Sequence, residues 1–164
     1  NALGTFLCCQ HAGLAMAKQP EGGVIVNVGD WATERPYPDY AAYFPSKGAV
    51  PTMTRMFAVE LARRNPRVRV NAVLPGPCDT IMNNNPIGWA RIGGRPDATR
   101  DDYLASVRNW QLLRNRTALN PSAIANAMIW LVSDEASEVT GVELPVDAGH
   151  LILPGMNPSP IVDG

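Results

Sequence analysis

The sequence predicts an α/β protein built on a parallel β-sheet. Two short apolar runs, GVIVNVG at residues 23–29 and VRVNAVL at 68–74, are rich in β-branched residues and end at glycine or proline. Continuous runs of this kind are typical of strands that are covered on both faces. A long helical pattern precedes each run, and the order helix, strand, helix, strand with short connections indicates a parallel sheet.

Each element has its own signal in the sequence. The first helix is alanine-rich and closes at Pro20, and the second ends at Pro66. We expect helices over residues 1–19, 40–64 and 99–113 and from about residue 122, strands over 24–28, 68–74 and 142–146, a loop over 77–96, and a surface tail over 151–164. Loops as long as the one after residue 77 are usually functional or disordered, so residues 77–120 are assigned to a variable substrate-binding region of a single domain.

Composition and charge exclude several classes of protein. The chain has 164 residues, a net charge of −1 and basic residues spread among acidic ones. This pattern favours neither nucleic acid nor a membrane surface as a partner, and no apolar run approaches the ~20 residues of a membrane span. The cysteines, Cys8, Cys9 and Cys78, form neither a disulfide framework nor a metal motif. We therefore expect a cytoplasmic protein with reduced thiols and no bound metal.

The first residues indicate that the sequence is a fragment. It begins at Asn1, without methionine, inside an apolar-periodic stretch. Natural domains seldom begin in the middle of a helix. We expect further chain before this point.

Tyr43 and Lys47 form the strongest local signal for chemistry. Residues four apart on a helix lie on the same face, one turn from each other. A free phenol titrates near pH ~10, and a neighbouring ammonium favours the phenolate and lowers that value. Tyr43 would then exchange a proton with a substrate oxygen near neutral pH. Taken alone, the same spacing also fits a solvated lysine beside a packed tyrosine.

The wider pattern resembles the second half of a short-chain dehydrogenase/reductase. The segments VIVNVGD, YFPSKGAV, RVRVNAVLPGPCDT and VTGVELPVDAG follow one another in that family's order, from Asn1 to about Leu151. The resemblance implies the second half of a Rossmann-like, doubly wound sheet in three αβα layers. It also implies that Tyr43 is the general acid/base, that Lys47 additionally holds the nicotinamide ribose, and that Asn1 anchors a water near the lysine.

The resemblance further implies a nicotinamide cofactor, NADP or NAD with NADP favoured. Pro75, Gly76 and Thr80 match the family's PGxxxT segment, which folds over the nicotinamide. A Pro-Gly turn after a strand lets backbone approach a flat ring, although the same residues also fit a simple strand-ending turn. The glycine-rich turn for the pyrophosphate is absent from this sequence.

Asp30 departs from the family pattern, which has a serine at this position. A carboxylate beside Tyr43 would disfavour the phenolate. Asp30 either is protonated and donates as the serine does, or faces a positively charged or NH-rich substrate. An aspartate here resembles the pteridine reductases of the family, so a pteridine is a candidate substrate, with Asp30, Trp31 and Trp89 as substrate-binding residues. Alternatively, Asp30 only caps the following turn.

The sequence thus predicts an NAD(P)-dependent oxidoreductase that acts on a small carbonyl or imine compound. Tyr43, Lys47, Asp30 and Asn1 are the expected catalytic residues. Two alternatives stay open: a non-catalytic family member that serves only in assembly, and an epimerase or dehydratase that uses the same tyrosine and lysine. The apolar first and second helices further predict a homodimer or homotetramer.

Overall fold

The computed structural model describes residues 1–113 and 117–153. Its helices and strands are, in chain order, α1 (Ala2–Met16), β1 (Gly23–Val28), α2 (Tyr43–Ala62), β2 (Val68–Pro75), α3 (Pro86–Gly93), α4 (Arg100–Arg108), α5 (Pro121–Val132) and β3 (Glu143–Val146). Short 3₁₀ helices cover Trp31–Thr33, Asp134–Ala136 and His150–Ile152. Most of the predicted tail, residues 154–164, lies outside the described residues. Among those residues, no helix combines the length and apolar character needed to cross a bilayer.

The predicted parallel sheet is confirmed. The strands lie in the order β1, β2, β3, and β1 pairs with β2 in parallel from Gly23 opposite Val68 onward. On the other side of β2, the Ala72 N–H donates to the Val142 carbonyl at 2.8 Å. Because β2 is buried along its length between two neighbours, its near-continuous apolar sequence follows from its central position.

The chain divides into two compact units, residues 1–74 with 125–144, and residues 75–124 with those from 145 onward. In the first unit, α1 and α2 cover one face of the sheet. The core of this face consists of Ala58 and Leu61 of α2 against Val68 and Val70 of β2, with Met16, Ile25 and Phe57 packed around them.

Polar side chains of β2 organise the opposite face of the sheet. Since side chains alternate along a strand, Arg69 and Asn71 point away from α2. The buried Arg69 guanidinium donates to the carbonyls of Leu131 at 2.8 Å and Ser133 at 3.0 Å, where α5 ends. The Asn71 side chain accepts from the Val142 N–H at 3.1 Å. Helices therefore cover both faces, which confirms the predicted αβα layering of the sheet.

One prediction about the second unit is wrong: residues 77–96 are not a continuous loop. The helix α3 lies within them. Its N-cap is Asn85, whose side chain accepts from the Gly88 N–H at 3.0 Å, Pro86 occupies its first turn, and Gly94 ends it in a left-handed conformation with φ of 78°. These are ordinary start and stop signals of a short helix. A composition rich in asparagine, glycine and proline concealed them.

We predict that Arg69→Met lowers the free energy of unfolding by about 2–4 kcal/mol, because buried carbonyls lose charged donors. Urea denaturation of the whole protein would measure the change. Arg67→Met is the matched control, since Arg67 is exposed and its guanidinium donates to the Pro20 carbonyl at 2.9 Å. Equal stability of the two variants would contradict the structural role given to Arg69.

Candidate active site

The carboxyl end of β1 and the first turn of α2 bring Asp30 and Tyr43 together. The Tyr43 hydroxyl donates to Asp30 Oδ2 at 2.7 Å, while Asp30 Oδ1 accepts from the Ala32 N–H at 2.8 Å. Gly29 allows this approach, because a Cβ there would lie 2.5 Å from a Leu74 methyl. One carboxylate oxygen of Asp30 therefore caps the following turn and the other contacts the tyrosine, while the role of Asp30 toward a substrate stays a prediction.

Lys47 lies on α2, and Asn1, which precedes α1, contacts the first turn of α2. Lys47 Nζ donates to the Val28 carbonyl, the last of β1, at 2.9 Å. Asn1 Nδ2 donates to Ser46 Oγ at 2.9 Å, and that hydroxyl donates to the Tyr43 carbonyl at 2.7 Å. The four predicted catalytic residues thus belong to one hydrogen-bonded region of the first unit.

Electrostatics at this cluster hold a proton on Tyr43. Burial raises the pKa of the Tyr43 hydroxyl well above its ordinary value, and the hydrogen bond to Asp30 and its negative charge raise it further. The expectation that Lys47 lowers this pKa is wrong for this structure, because the ammonium is bonded to the Val28 carbonyl while the carboxylate contacts the phenol. Burial in turn lowers the pKa of Lys47, against the opposing effect of Asp30. Tyr43 is consequently protonated at neutral pH.

An aromatic cluster borders the tyrosine. Tyr37 meets Tyr40 and Phe44 nearly edge-on, with ring centroids 5.0 and 4.9 Å apart, and the Tyr40 centroid lies 5.9 Å from that of Tyr43. A cavity of about 710 Å³ lies against this cluster and reaches Gly48 and other residues of α2. At 100° per residue, its lining positions on α2 point away from the face shared by Tyr43 and Lys47. Tyr43 and Lys47 are accordingly not among the residues that line the cavity.

The second unit holds the predicted cofactor turn, Pro75, Gly76 and Thr80. The Gly76 N–H donates to the Val146 carbonyl at 2.9 Å, and a Cβ on Gly76 would lie 2.8 Å from the Asp147 Cα. Glycine at this position is thus a requirement of close backbone approach.

The turn continues through Thr80, whose carbonyl accepts from the Asn84 N–H at 2.7 Å.

The tryptophans predicted to bind substrate differ in their accessibility. Trp31 is buried, with 6% of its surface exposed, and offers little area to a ligand in this conformation. Trp89 is partly exposed on α3, and its indole N–H donates to Asn84 Oδ1 at 3.1 Å. The substrate roles of Trp31 and Trp89 stay predictions.

Sequence reasoning passed over two residues of the second unit. Arg100 donates to Asp79 Oδ2 at 2.9 Å, across 21 positions of the chain. No periodicity links residues that far apart, so the pair had no local signal. Asp79 occupies a variable position of the PGxxxT segment, so the motif itself assigns it no role.

Comparison with known proteins relates most of this chain to one family of oxidoreductases. Residues 1–150 match the family model described as enoyl-(acyl carrier protein) reductase. The chain is 36% identical over 156 residues to the uncharacterized oxidoreductase YohF of Escherichia coli, covering 94% of this chain and 55% of that protein. It is 32% identical over 155 residues to 3beta-hydroxysteroid dehydrogenase 1 of Eggerthella lenta, covering 94% and 54%.

Solved structures of dehydrogenases are also similar to this chain. Carveol dehydrogenase from Mycobacterium avium, solved in complex with NAD, is similar with a TM-score of 0.76 and 34% identity over 85% of this chain and 49% of that one. The chain spans about half the length of the relatives it matches.

We predict that Asp30→Asn lowers the pKa of the Tyr43 hydroxyl, since both the carboxylate charge and its hydrogen bond favour the protonated phenol. Ultraviolet absorption of tyrosinate during an alkaline titration would measure this, with Tyr43→Phe identifying the signal. Asp39→Asn is the matched control, because Asp39 is an exposed carboxylate of the same connection. The account of the site is contradicted if Tyr43 ionises at the same pH in both asparagine variants.

Proposed function

Because this chain belongs to the short-chain dehydrogenase/reductase family, we propose that its protein is a nicotinamide-dependent oxidoreductase that interconverts a small secondary alcohol and its carbonyl compound. The observation that carries the proposal is the protonated, half-buried Tyr43 beside Lys47 and Asp30. Two similar proteins are named for ring alcohols, a hydroxysteroid and carveol, which supports a secondary alcohol as the substrate class.

Tyr43 is the group that moves the proton. In the reducing direction its hydroxyl donates to the substrate oxygen as negative charge develops there, and in the oxidising direction its phenolate accepts the alcohol proton. The raised pKa keeps the hydroxyl protonated at rest, which is the form required for proton donation. Asn1 and Ser46 hold the backbone of the first turn of α2, which keeps the phenol at a fixed position.

Lys47 fits the ribose of a nicotinamide cofactor. An ammonium has three N–H donors, and in the described part of the chain one of them binds the Val28 carbonyl. The remaining donors match a pair of sugar hydroxyls. A bound nicotinamide, NADP or NAD, supplies or accepts the hydride. Pro75, Gly76 and Thr80 are proposed to contact its ring side, and the preference for NADP stays a prediction.

Asp30 is proposed to contact the substrate. A substrate oxygen that receives the Tyr43 proton must displace Asp30 Oδ2 from the hydroxyl, and a donor group on the substrate would then satisfy the carboxylate. Alcohols and amines both provide such a donor. A pteridine also has N–H groups, but the relatives named above give it no support, so pteridine remains only a prediction.

The alternatives are less well supported. Assembly without catalysis gives no reason to place a half-buried lysine near an aspartate–tyrosine pair, since removing charge from water is unfavourable. No observation specifically favours an epimerase or a dehydratase. A cytoplasmic location likewise stays a prediction.

A homodimer or homotetramer is also proposed. Apolar side chains are exposed on both α1 and α2, among them Leu3 at 70%, Met56 at 54% and Val59 at 56%. An apolar cavity of about 300 Å³ lies between Phe6 and Met56 on this surface. A second copy of the same helices would cover it through a two-fold axis.

The central test is Tyr43→Phe, which deletes the proton donor and keeps the ring. We expect kcat to fall by roughly 10²–10⁴-fold while cofactor affinity changes little. Stopped-flow absorbance at 340 nm with a panel of ring ketones, and fluorescence titration with NADPH and NADH, would measure the two quantities. Tyr40→Phe is the matched control, since it removes a hydroxyl three residues earlier and leaves the Asp30–Tyr43 bond in place. Unchanged kcat in Tyr43→Phe would overturn the proposed function.

For the assembly, Met56→Glu should shift the protein to monomers, because it places a charge in the centre of the apolar surface. Sedimentation velocity at micromolar concentration would show the change. The exposed Glu60, already on this helix, provides the control substitution Glu60→Gln. A wild-type monomer would rule the proposal out.

A further inference from the structure

The Asp30 carboxylate accepts hydrogen bonds from the backbone of the following turn and from Tyr43. Its Oδ1 accepts from the Ala32 N–H at 2.8 Å, and its Oδ2 accepts from the Tyr43 hydroxyl at 2.7 Å. Both side chains are partly exposed. A small molecule can therefore reach the atoms of the second hydrogen bond, while the first stays with the turn.

Proton donation by Tyr43 takes a hydrogen bond away from Asp30. A phenol has a single O–H, so the hydroxyl cannot serve Asp30 and a substrate carbonyl fully at the same time. When it turns toward the carbonyl oxygen, Asp30 Oδ2 loses its donor. This loss is unfavourable, because hydrogen bonds to charged groups are among the strong ones. The site therefore favours a substrate that brings a replacement donor.

The spacing of the two oxygens indicates where this donor lies on the substrate. The Tyr43 hydroxyl oxygen and Asp30 Oδ2 are 2.7 Å apart, the length of one hydrogen bond. The two oxygens of an α-hydroxy ketone, which are on adjacent carbons, have a similar separation when they lie on the same side. The ketone oxygen then accepts from Tyr43 while the hydroxyl donates to Asp30. A donor on a more distant carbon does not match this spacing.

Lys47 favours a neutral donor over a cationic one. Burial lowers the pKa of Lys47 and the negative charge of Asp30 opposes this, so the two charges already interact. An ammonium group bound to Asp30 would bring a second positive charge near Lys47, and like charges disfavour each other. A hydroxyl provides an O–H donor without adding charge.

We propose that Asp30 is a specificity-determining residue that selects ketones with a hydroxyl group on the adjacent carbon, which the protein reduces to vicinal diols. The inference rests on the proposed function, because it takes Tyr43 as the proton donor. The carbonyl carbon accepts hydride from the reduced nicotinamide and the carbonyl oxygen accepts the Tyr43 proton, after which water reprotonates the phenolate. The substrate hydroxyl keeps its own proton and donates a hydrogen bond to Asp30.

The test compares substituted cyclohexanones as substrates of the whole protein with NADPH or NADH. The compound 2-hydroxycyclohexanone has the donor on the adjacent carbon, and 4-hydroxycyclohexanone has the same groups farther apart. The 2-methoxy compound keeps an electron-withdrawing oxygen beside the carbonyl but has no donor. The protonated 2-dimethylamino compound has a cationic N–H donor there. Initial rates of cofactor oxidation give kcat/KM for each.

In the wild type, kcat/KM for 2-hydroxycyclohexanone should exceed the values for the other three compounds by roughly 10- to 100-fold, the effect of one hydrogen bond to a charged group. The comparison with the methoxy compound is the sharpest, because both substituents activate the carbonyl and only the hydroxyl can donate.

The variant Asp30→Asn tests whether the carboxylate is the acceptor. Its amide oxygen still accepts from the Ala32 N–H, and its NH₂ group replaces Oδ2 with a donor. The preference for the hydroxy over the methoxy compound should fall to about one or reverse. Asp39→Asn is the matched control, because Asp39 is an exposed carboxylate of the same connection, and it should keep the preference of the wild type.

A binding measurement on the wild type does not depend on whether the variant folds. Reduced cofactor cannot oxidise an alcohol, so alcohols bind to this complex without reacting. Isothermal titration calorimetry with cis-1,2-cyclohexanediol and with cyclohexanol should show roughly tenfold or greater tighter binding of the diol.

Three results would overturn the inference and leave the proposed function standing. They are equal kcat/KM for the hydroxy and methoxy compounds in the wild type, a hydroxyl preference that persists in Asp30→Asn, and a preference for the cationic amine over the hydroxyl. Equal binding of the diol and cyclohexanol would also count against it. A wild type that binds reduced cofactor but reduces none of these ketones or the earlier panel would overturn the proposed function, and this inference with it.

Discussion

The buried strand β2 is the constraint on which the first unit depends. A strand with neighbours on both sides and helices on both faces has no access to water, so every polar group on it needs a partner. Arg69 and Asn71 meet this requirement by binding backbone at the end of α5 and at the segment that leads into β3. The same contacts that satisfy the strand therefore position the third strand and the helix before it.

The fixed strand pair also determines where the chemistry is placed. The register of β1 on β2 puts Gly29 against Leu74, and the chain can turn there only because glycine has no side chain. Asp30 follows directly, at the carboxyl end of the strand, where parallel sheets commonly bind ligands. The hydrogen bond from the Ala32 N–H to Asp30 Oδ1 orients the carboxylate. In this orientation the other oxygen, Oδ2, accepts the hydrogen bond from the Tyr43 hydroxyl. A structural turn and a chemical contact thus share one residue.

Burial and the Asp30 carboxylate set the protonation of Tyr43. A lysine alone beside Tyr43 would favour the phenolate. The carboxylate instead accepts a hydrogen bond from the phenol and so favours its neutral form. Burial acts in the same direction as the carboxylate on Tyr43 and in the opposite direction on Lys47. Asp30→Asn would therefore lower the pKa of the Tyr43 hydroxyl and favour the phenolate, the form that can accept a proton. The identity of this single residue therefore affects the protonation state of Tyr43.

The sequence by itself determined the α/β class, the three strands and the shared helix face of Tyr43 and Lys47, because strand composition and helical periodicity are local properties. It also showed Asp30 thirteen residues before Tyr43, at the position where the family pattern has a serine. The tertiary structure decided the direction in which the pKa of Tyr43 shifts. This direction depends on two hydrogen bonds, from Lys47 to the Val28 carbonyl and from the Tyr43 hydroxyl to the Asp30 carboxylate. It likewise decided that Arg69 is buried and that Asp79 meets Arg100. Such partners are separated by many residues along the chain, and only folding brings their atoms within hydrogen-bond distance.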